Sequence, residues 1–163
     1  MGIWDVKPDG ERECWSFTAL VGVGPLRFGM TPQDVAAALG TTPGMSGQGA
    51  GHFTGIGVTT YDRHERLEGV AVDALRGPQV TLDGTALVAQ VPSVMEDWIL
   101  DHIGTRGLDL CYTHAGDPGS ADLGLILRAQ RAGDVVLTRP LFLVREWVMN
   151  SWDCVPGQEW KTF

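Results

Sequence analysis

The chain has 163 residues, of which 44% are hydrophobic, enough for a core in one domain or in two closely packed halves. Its formal net charge of −8 disfavours binding to nucleic acid and to anionic membranes, because the phosphates of both repel an acidic surface. An acidic surface is compatible with a basic protein partner, although solubility alone also accounts for it.

The cysteines and the start of the chain indicate a cytoplasmic protein. Cys14, Cys111 and Cys154 lie far apart, and an odd count without a Cys-x-x-Cys motif argues against a disulfide framework or a structural zinc site. The opening residues, "MGIWDVKPDGERECW", lack the basic region and apolar run of a secretory signal. No apolar window approaches the length of about 18 residues that a membrane-spanning helix needs.

The first predicted elements are an irregular arm over residues 1–14, a strand in "CWSFTALVGV" and a short helix. The helix has signals at both ends, with Thr31 as N-cap, Pro32 at the first helical position and Gly40 just past the last. Asp34, three residues after the cap, completes a variant of the capping box. We therefore expect a short helix, and none of these residues is left over for phosphate binding.

The next segment is predicted to be a flexible loop followed by strands. "TTPGMSGQGAG" is glycine-rich and indicates the loop. "HFTGIGVTTYD" and "RLEGVAVDAL" predict two strands of a hairpin, with Gly69 as a possible β-bulge position. "QVTLDGTAL" predicts a further strand with an Asp-Gly turn.

A second capped helix is predicted after residue 92. Ser93 and Glu96 have the spacing of a capping box, and Gly104 is expected to end the helix. Asp97 and Asp101 lie one turn apart on its polar face. The predicted apolar face consists of Met95, Trp98, Ile99, His102 and Ile103.

The remaining sequence predicts strands in "GLDLCYTH", "DLGLILRAQ", "DVVLTR" and "LFLVREWVM", the third of which could merge into the fourth across Arg139 and Pro140. An irregular tail follows. Helix and strands thus occur twice in succession, which favours an α+β fold with one antiparallel sheet or two joined sheets and two short capped helices. We expect one domain over residues 1–163, which could consist of two pseudo-repeats at 15–90 and 91–163.

No motif in the chain predicts a catalytic residue, a metal site or a cofactor. The glycine-rich stretches lack the spacing of nucleotide-binding loops, and the four histidines lack the spacing of metal ligands. Cys111 and His114 would point to opposite faces of a strand. A triad assembled from distant parts of the chain stays open, since such triads have no fixed sequence order.

The residues left for a binding surface are acidic and aromatic. Tryptophan is enriched at interface centres, and acidic side chains steer a basic partner. The alternatives are that paired aspartates form a solvated face and that the rings of the tail cap the core. The candidate partner-binding residues are Asp97, Asp101, Asp117, Asp122, Trp147 and Trp152.

The segment "FGMTPQDVAAALGTTP" resembles the Gly-Met-Thr…Val…Leu-Gly-x-Pro signature of small bacterial outer-membrane assembly lipoproteins, with one extra residue before the proline. Bacterial immunity-type proteins have a similar "Gly-Pro-Leu-x-Phe-Gly-Met-Thr" stretch, and the tandem arrangement is similar to β-lactamase-inhibitor-type proteins. The matching residues have capping and packing roles, so no catalytic residue is carried over. They are Gly29, Met30, Thr31, Val35, Leu39, Gly40 and Pro43.

The resemblance implies a non-enzymatic scaffold that binds another protein. Together with the acidic charge, it suggests an immunity protein that neutralises a bacterial toxin, for example a basic nuclease. One alternative is a structural or assembly module that acts by self-association. The other is a small-ligand protein or an enzyme with a site between sheet and helices.

Overall fold

The computed structural model describes residues 2, 4–150 and 152–162, and for Trp152 it describes the backbone alone. Within these residues the α-helices are α1 (Pro32–Leu39), α2 (Pro92–Arg106) and α3 (Arg145–Asn150). Short 3₁₀ helices cover Asp9–Glu11, Trp152–Cys154 and Gly157–Lys161. The strands are β1 (Cys14–Thr18), β2 (Gly22–Val23), β3 (Leu26–Arg27), β4 (Met45–Gly47), β5 (Ala50–Phe53), β6 (Val58–Arg63), β7 (Arg66–Val72), β8 (Gln79–Leu82), β9 (Thr85–Ala86), β10 (Cys111–Tyr112), β11 (Pro118–Ser120), β12 (Leu125–Ala132) and β13 (Val135–Leu143).

Two sheets organise these elements into the expected α+β fold. The small sheet has the order β3-β2-β1-β8-β9, and its β1–β8 pair is parallel. The large sheet has the order β10-β11-β12-β13-β7-β6-β5-β4 with antiparallel neighbours. Each of α1 and α2 thus precedes four consecutive strands of the large sheet, and the two sets of strands meet where β13 pairs with β7. Whether 15–90 and 91–163 are pseudo-repeats stays a prediction.

The two faces of the large sheet bury two separate apolar clusters. Alternate residues of β12 divide between them, because successive side chains of a strand point to opposite faces. Leu125 and Leu127 join the cluster that includes α1, α2 and the small sheet, whereas Ile126 joins the cluster beneath α3 and the C-terminal residues. The second face is therefore covered by the last part of the described chain.

Helix α1 confirms the prediction from its capping residues. The Thr31 hydroxyl accepts a hydrogen bond from the Asp34 N–H at 3.2 Å, and the Asp34 carboxylate accepts one from the Thr31 N–H at the same distance. Gly40 ends the helix in the left-handed region with φ of 72°. These contacts are local in sequence, which is why the sequence predicts both ends correctly.

Replacing Thr31 with alanine is expected to lower the free energy of unfolding by about 1 kcal/mol, because the first turn loses its cap. Urea unfolding followed by circular dichroism measures the change. Thr41→Ala is the control, since Thr41 is exposed and its hydroxyl donates a hydrogen bond to the carbonyl of the next residue, Thr42, at 3.4 Å. Equal losses in both variants would contradict a role for the cap.

The predicted boundaries of α2 are wrong at both ends. The helix begins at Pro92 after Val91, a residue whose side chain has no capping group, so Ser93 lies inside the first turn. It continues past Gly104 and ends at Arg106, where Gly107 takes φ of 66°. A glycine ends a helix where it adopts the left-handed conformation, and here Gly107 does so.

The flexible loop predicted for the glycine-rich segment is wrong, and the strand predicted after it is right only for β6, which forms the expected hairpin with β7. The expected loop contains β4, which pairs with β5 in a hairpin. Its turn residues Gln48 and Gly49 have φ of 53° and 77°, the positive values that a tight hairpin turn requires. "HFTGIGVTTYD" holds two strands, because a turn over 54–57 separates β5 from β6. The register of β6 and β7 shifts between Tyr61 and Asp62, opposite the predicted bulge at Gly69.

The end of the predicted strand "LFLVREWVM" is a helix. Strand β13 runs through Arg139 and Pro140, as the sequence allows, and ends at Leu143 before α3. Pro140 is tolerated because it pairs with a neighbouring strand on one side only. Strand β12 pairs with it, whereas β7 pairs with Leu141–Leu143. No helix among the described residues has the length and apolar character needed to cross a bilayer.

Candidate functional site

The outer face of α2 carries two of the predicted partner-binding residues. Met95, Ile99, His102 and Ile103 are buried, which turns Asp97 and Asp101 toward solvent on the opposite side of the helix. Exposed aliphatic side chains lie on the same side, with Val94 60% exposed and Leu100 37% exposed. We call Val94, Asp97, Leu100 and Asp101 the acidic helix face.

A neighbouring strand widens this surface. The Tyr112 hydroxyl of β10 donates a hydrogen bond to the Glu96 carboxylate at 3.0 Å, and the ring is 44% exposed. This hydrogen bond and the Glu96 charge raise the pKa of Tyr112. Leu110, just before β10, is 45% exposed. The surface thus mixes carboxylates with aliphatic and aromatic groups, a mixture typical of protein interfaces.

Asp117 and Asp122 do not belong to the acidic helix face. Asp117 is buried, accepts a hydrogen bond from the Thr113 hydroxyl at 2.9 Å and lies 3.7 Å from the Arg128 guanidinium. Asp122 is 28% exposed and is paired with Arg145 at 3.2 Å. A buried or paired carboxylate is a poor steering charge, so the structure favours neither Asp117 nor Asp122 for that role, and their part in partner binding stays a prediction.

Trp147 lies in the core rather than on the surface. It is 9% exposed, on α3, with its ring edge-on to Tyr61 at a centroid distance of 6.4 Å. The Arg63 guanidinium covers the ring at 5.0 Å. Trp147 is therefore not an exposed anchor in this fold, and a role for it in partner binding stays a prediction. The Trp152 side chain lies outside the described residues, so its role stays a prediction.

The sequence reasoning missed a buried ionic cluster that fastens the C-terminal residues to the large sheet. Glu159 is fully buried between two arginines that face each other across β12 and β13. The Arg128 Nη1 donates to Glu159 Oε1 at 3.1 Å, and the Arg139 Nη2 donates to Oε2 at 3.0 Å. The Tyr61 hydroxyl also donates to Oε2. Arginines within the apolar runs "LGLILRAQ" and "LTRPLFL" were the available signal.

The charges of this cluster stabilise one another. Burial alone would raise the pKa of Glu159, because it disfavours the ionised carboxylate. The two arginines and Tyr61 have the larger effect and hold this pKa below its usual value. Burial likewise opposes the Arg139 charge, while Glu159 raises the pKa of Arg139. The pKa of Tyr61 is strongly raised by burial and by the Glu159 charge. Each charge of the cluster lies beside a charge of the opposite sign, so we assign the cluster to folding rather than to catalysis.

The other reactive side chains lie in small groups. Cys111 and Cys154 are free thiols that come together despite their separation in sequence, and burial with the neighbouring Cys154 raises the pKa of Cys111 to about 12. A thiol with so high a pKa is a poor nucleophile. His114 Nδ1 lies 2.7 Å from the Asp153 carboxylate. Among the described residues, no group of three or more histidine, cysteine or acidic side chains is placed to hold a metal ion.

A cavity lies beneath α1, on the face of the large sheet formed by β4, β5 and β6. Its volume is about 250 Å³, and it is lined by helix residues such as Val35 and strand residues such as Phe53 and Asp62. The glycine-rich sequence that suggested a flexible loop forms part of its wall. No separate pattern in the sequence indicates this cavity.

Comparison of the chain with protein-family models, with curated proteins and with solved structures produced no match in any of the three. The resemblance of Gly29–Pro43 to lipoprotein, inhibitor and immunity-type proteins therefore stays a prediction.

Proposed function

We propose that the chain is a non-enzymatic, cytoplasmic protein that binds and neutralises a basic protein, as an immunity protein does for a bacterial toxin. The observation that carries the proposal is the acidic helix face. Asp97 and Asp101 are exposed one turn apart, and neither has a salt-bridge partner among the described residues. Uncompensated charges of one sign attract a partner of the opposite sign.

The apolar groups of this face supply contact area, which charge alone does not. Val94 and Leu100 give contact area that a partner can bury, and Tyr112 adds an aromatic ring at the edge. Carboxylates around them would speed the approach of a basic domain through long-range attraction. A nuclease-type toxin, whose own substrate is a polyanion, has the basic surface that this face fits.

The experiment compares capture by three forms of the protein. Wild type, an Asp97→Lys and Asp101→Lys double variant, and a Glu13→Lys and Asp134→Lys control are incubated with lysate of the source organism at low salt. The two double variants change the net charge equally, and the control residues are exposed outside α2. Captured proteins are identified by mass spectrometry, and each basic candidate is purified for kinetic binding measurements.

We expect one basic protein that wild type and the control bind, with an association rate about 10- to 1,000-fold lower for the α2 variant at low salt. The difference should shrink as salt rises, because surface charges are screened. Equal association of the two double variants would contradict the proposed face. A mass that rises with protein concentration, without a captured partner, would favour the self-association alternative.

A further inference from the structure

The cavity beneath α1 has an apolar lining that solvent can reach. Pro32 and Ser46 are exposed at its mouth, while Val35, Phe53 and Leu67 are buried deeper in the wall. Its volume of about 250 Å³ lies at the small end of ligand pockets, which range from about 300 to 1,000 Å³. The apolar side chains that line it are Met30, Pro32, Val35, Pro43, Phe53 and Leu67.

Glycines keep the strand side of this cavity open. A Cβ at Gly51 would lie 2.9 Å from the Thr60 hydroxyl and 3.3 Å from the Phe53 ring, so a larger residue would displace its neighbours. Gly47 has φ of 139°, a conformation that other residues rarely adopt, and open space lies where its Cβ would be. Both residues line the cavity, and so the sequence "GMSGQGAG" provides space and exposed backbone there.

One charged group lies in this lining. The Asp62 carboxylate is half-buried and has neither a hydrogen bond nor an ion pair among the described residues. Burial, with the nearby Glu65 charge, raises the pKa of Asp62. No lysine or arginine among the described residues lines the cavity, so nothing there would balance an anion. A carboxylate without a partner beside apolar walls selects a cation.

We propose that the cavity binds a small organic cation, an ammonium group on an apolar body, with the ammonium paired to Asp62. The apolar side chains hold the body of the ligand, and the Phe53 ring adds a surface that attracts cations. This site shares no residue with the acidic helix face. The proposal of a cation site is therefore independent of the proposal of a protein partner.

The test measures binding of two probes of similar shape by protein NMR titration and calorimetry. Benzylamine is protonated at pH 7 and carries the ammonium, whereas benzyl alcohol is neutral. Wild type is expected to bind benzylamine about 10- to 100-fold more tightly than benzyl alcohol, the range for a hydrogen bond to a charged group. The shifted amide signals should belong to residues that line the cavity.

Two variants distinguish the contribution of the Asp62 charge from that of the space in the cavity. Asp62→Asn should remove the preference for benzylamine and leave the affinity for benzyl alcohol unchanged. Asp134→Asn, an equal charge change on the exposed β12–β13 turn, should alter neither affinity. Ser46→Leu narrows the mouth of the cavity and should lower the affinity for both probes by a similar factor. Equal affinity of wild type for the two probes, a preference that survives Asp62→Asn, or no binding by either probe would overturn the proposal.

Discussion

Replacing Glu159 with glutamine is expected to lower the free energy of unfolding by about 3–5 kcal/mol, the usual effect of breaking a buried ion pair. Glutamine has nearly the same shape, but it removes the carboxylate that lies nearest to both guanidinium groups and leaves them only the longer contacts with Asp117 and Asp73. Urea unfolding at pH 7, followed by tryptophan fluorescence and by circular dichroism, measures the loss.

Two further variants test this explanation. Glu146→Gln changes an exposed glutamate of α3 and should alter stability by no more than about 0.5 kcal/mol. Replacing Arg128 and Arg139 with methionine together with Glu159→Leu and Asp117→Asn removes the three charges of the cluster and the buried carboxylate that Arg128 would otherwise leave unpaired, and it should recover much of the lost stability. A loss below about 1 kcal/mol for Glu159→Gln would show that the charge is not needed on this face.

The second large effect is expected at Phe142. Its side chain is fully buried on β13, and its ring centroid lies 4.6 Å from that of Phe17 on β1. Phe142→Ala therefore leaves a cavity where the large sheet packs on the small sheet, and it should lower the free energy of unfolding by about 3–5 kcal/mol. Thermal and urea unfolding should both report the loss.

The same variant tests whether the chain unfolds as one domain. Phe142 and Phe17 belong to one apolar cluster. We therefore expect tryptophan fluorescence and circular dichroism to report a single unfolding transition, at a lower urea midpoint than that of wild type. Val136→Ala, on the 46% exposed part of β13, is the matched control and should change stability little. Two separated transitions in Phe142→Ala would indicate that the sheets fold independently.

Local chemistry explains which elements were predictable. Thr31, Pro32 and Gly40 specify α1 through contacts within a few residues, so its boundaries could be predicted from the sequence. For α2 the sequence offers two glycines, Gly104 and Gly107, and the backbone conformation that selects the second is set by packing. The α+β class could be predicted because alternating and helical apolar patterns are themselves local.

Non-local contacts explain what was missed. Glu159 follows Arg128 by 31 residues and Arg139 by 20, and no local pattern links a tail glutamate to two strand arginines. The burial of Asp117 has the same origin, since Arg128 pairs with it from β12. The cavity depends on the β4–β5 hairpin, whose sequence is also compatible with a flexible loop. Asp97 and Asp101 were predictable as exposed because helix periodicity alone places them.

The position of Glu159 in the chain also orders the events of biosynthesis. A ribosome makes Arg128 and Arg139 before Glu159, so the strands that carry the arginines leave it while that face of the sheet still lacks the Glu159 carboxylate. Domains fold as their residues become available, and exposed apolar surface in partly folded chains promotes aggregation. This face of the sheet is therefore completed only after residue 159 has left the ribosome, and until then its apolar residues are exposed to solvent.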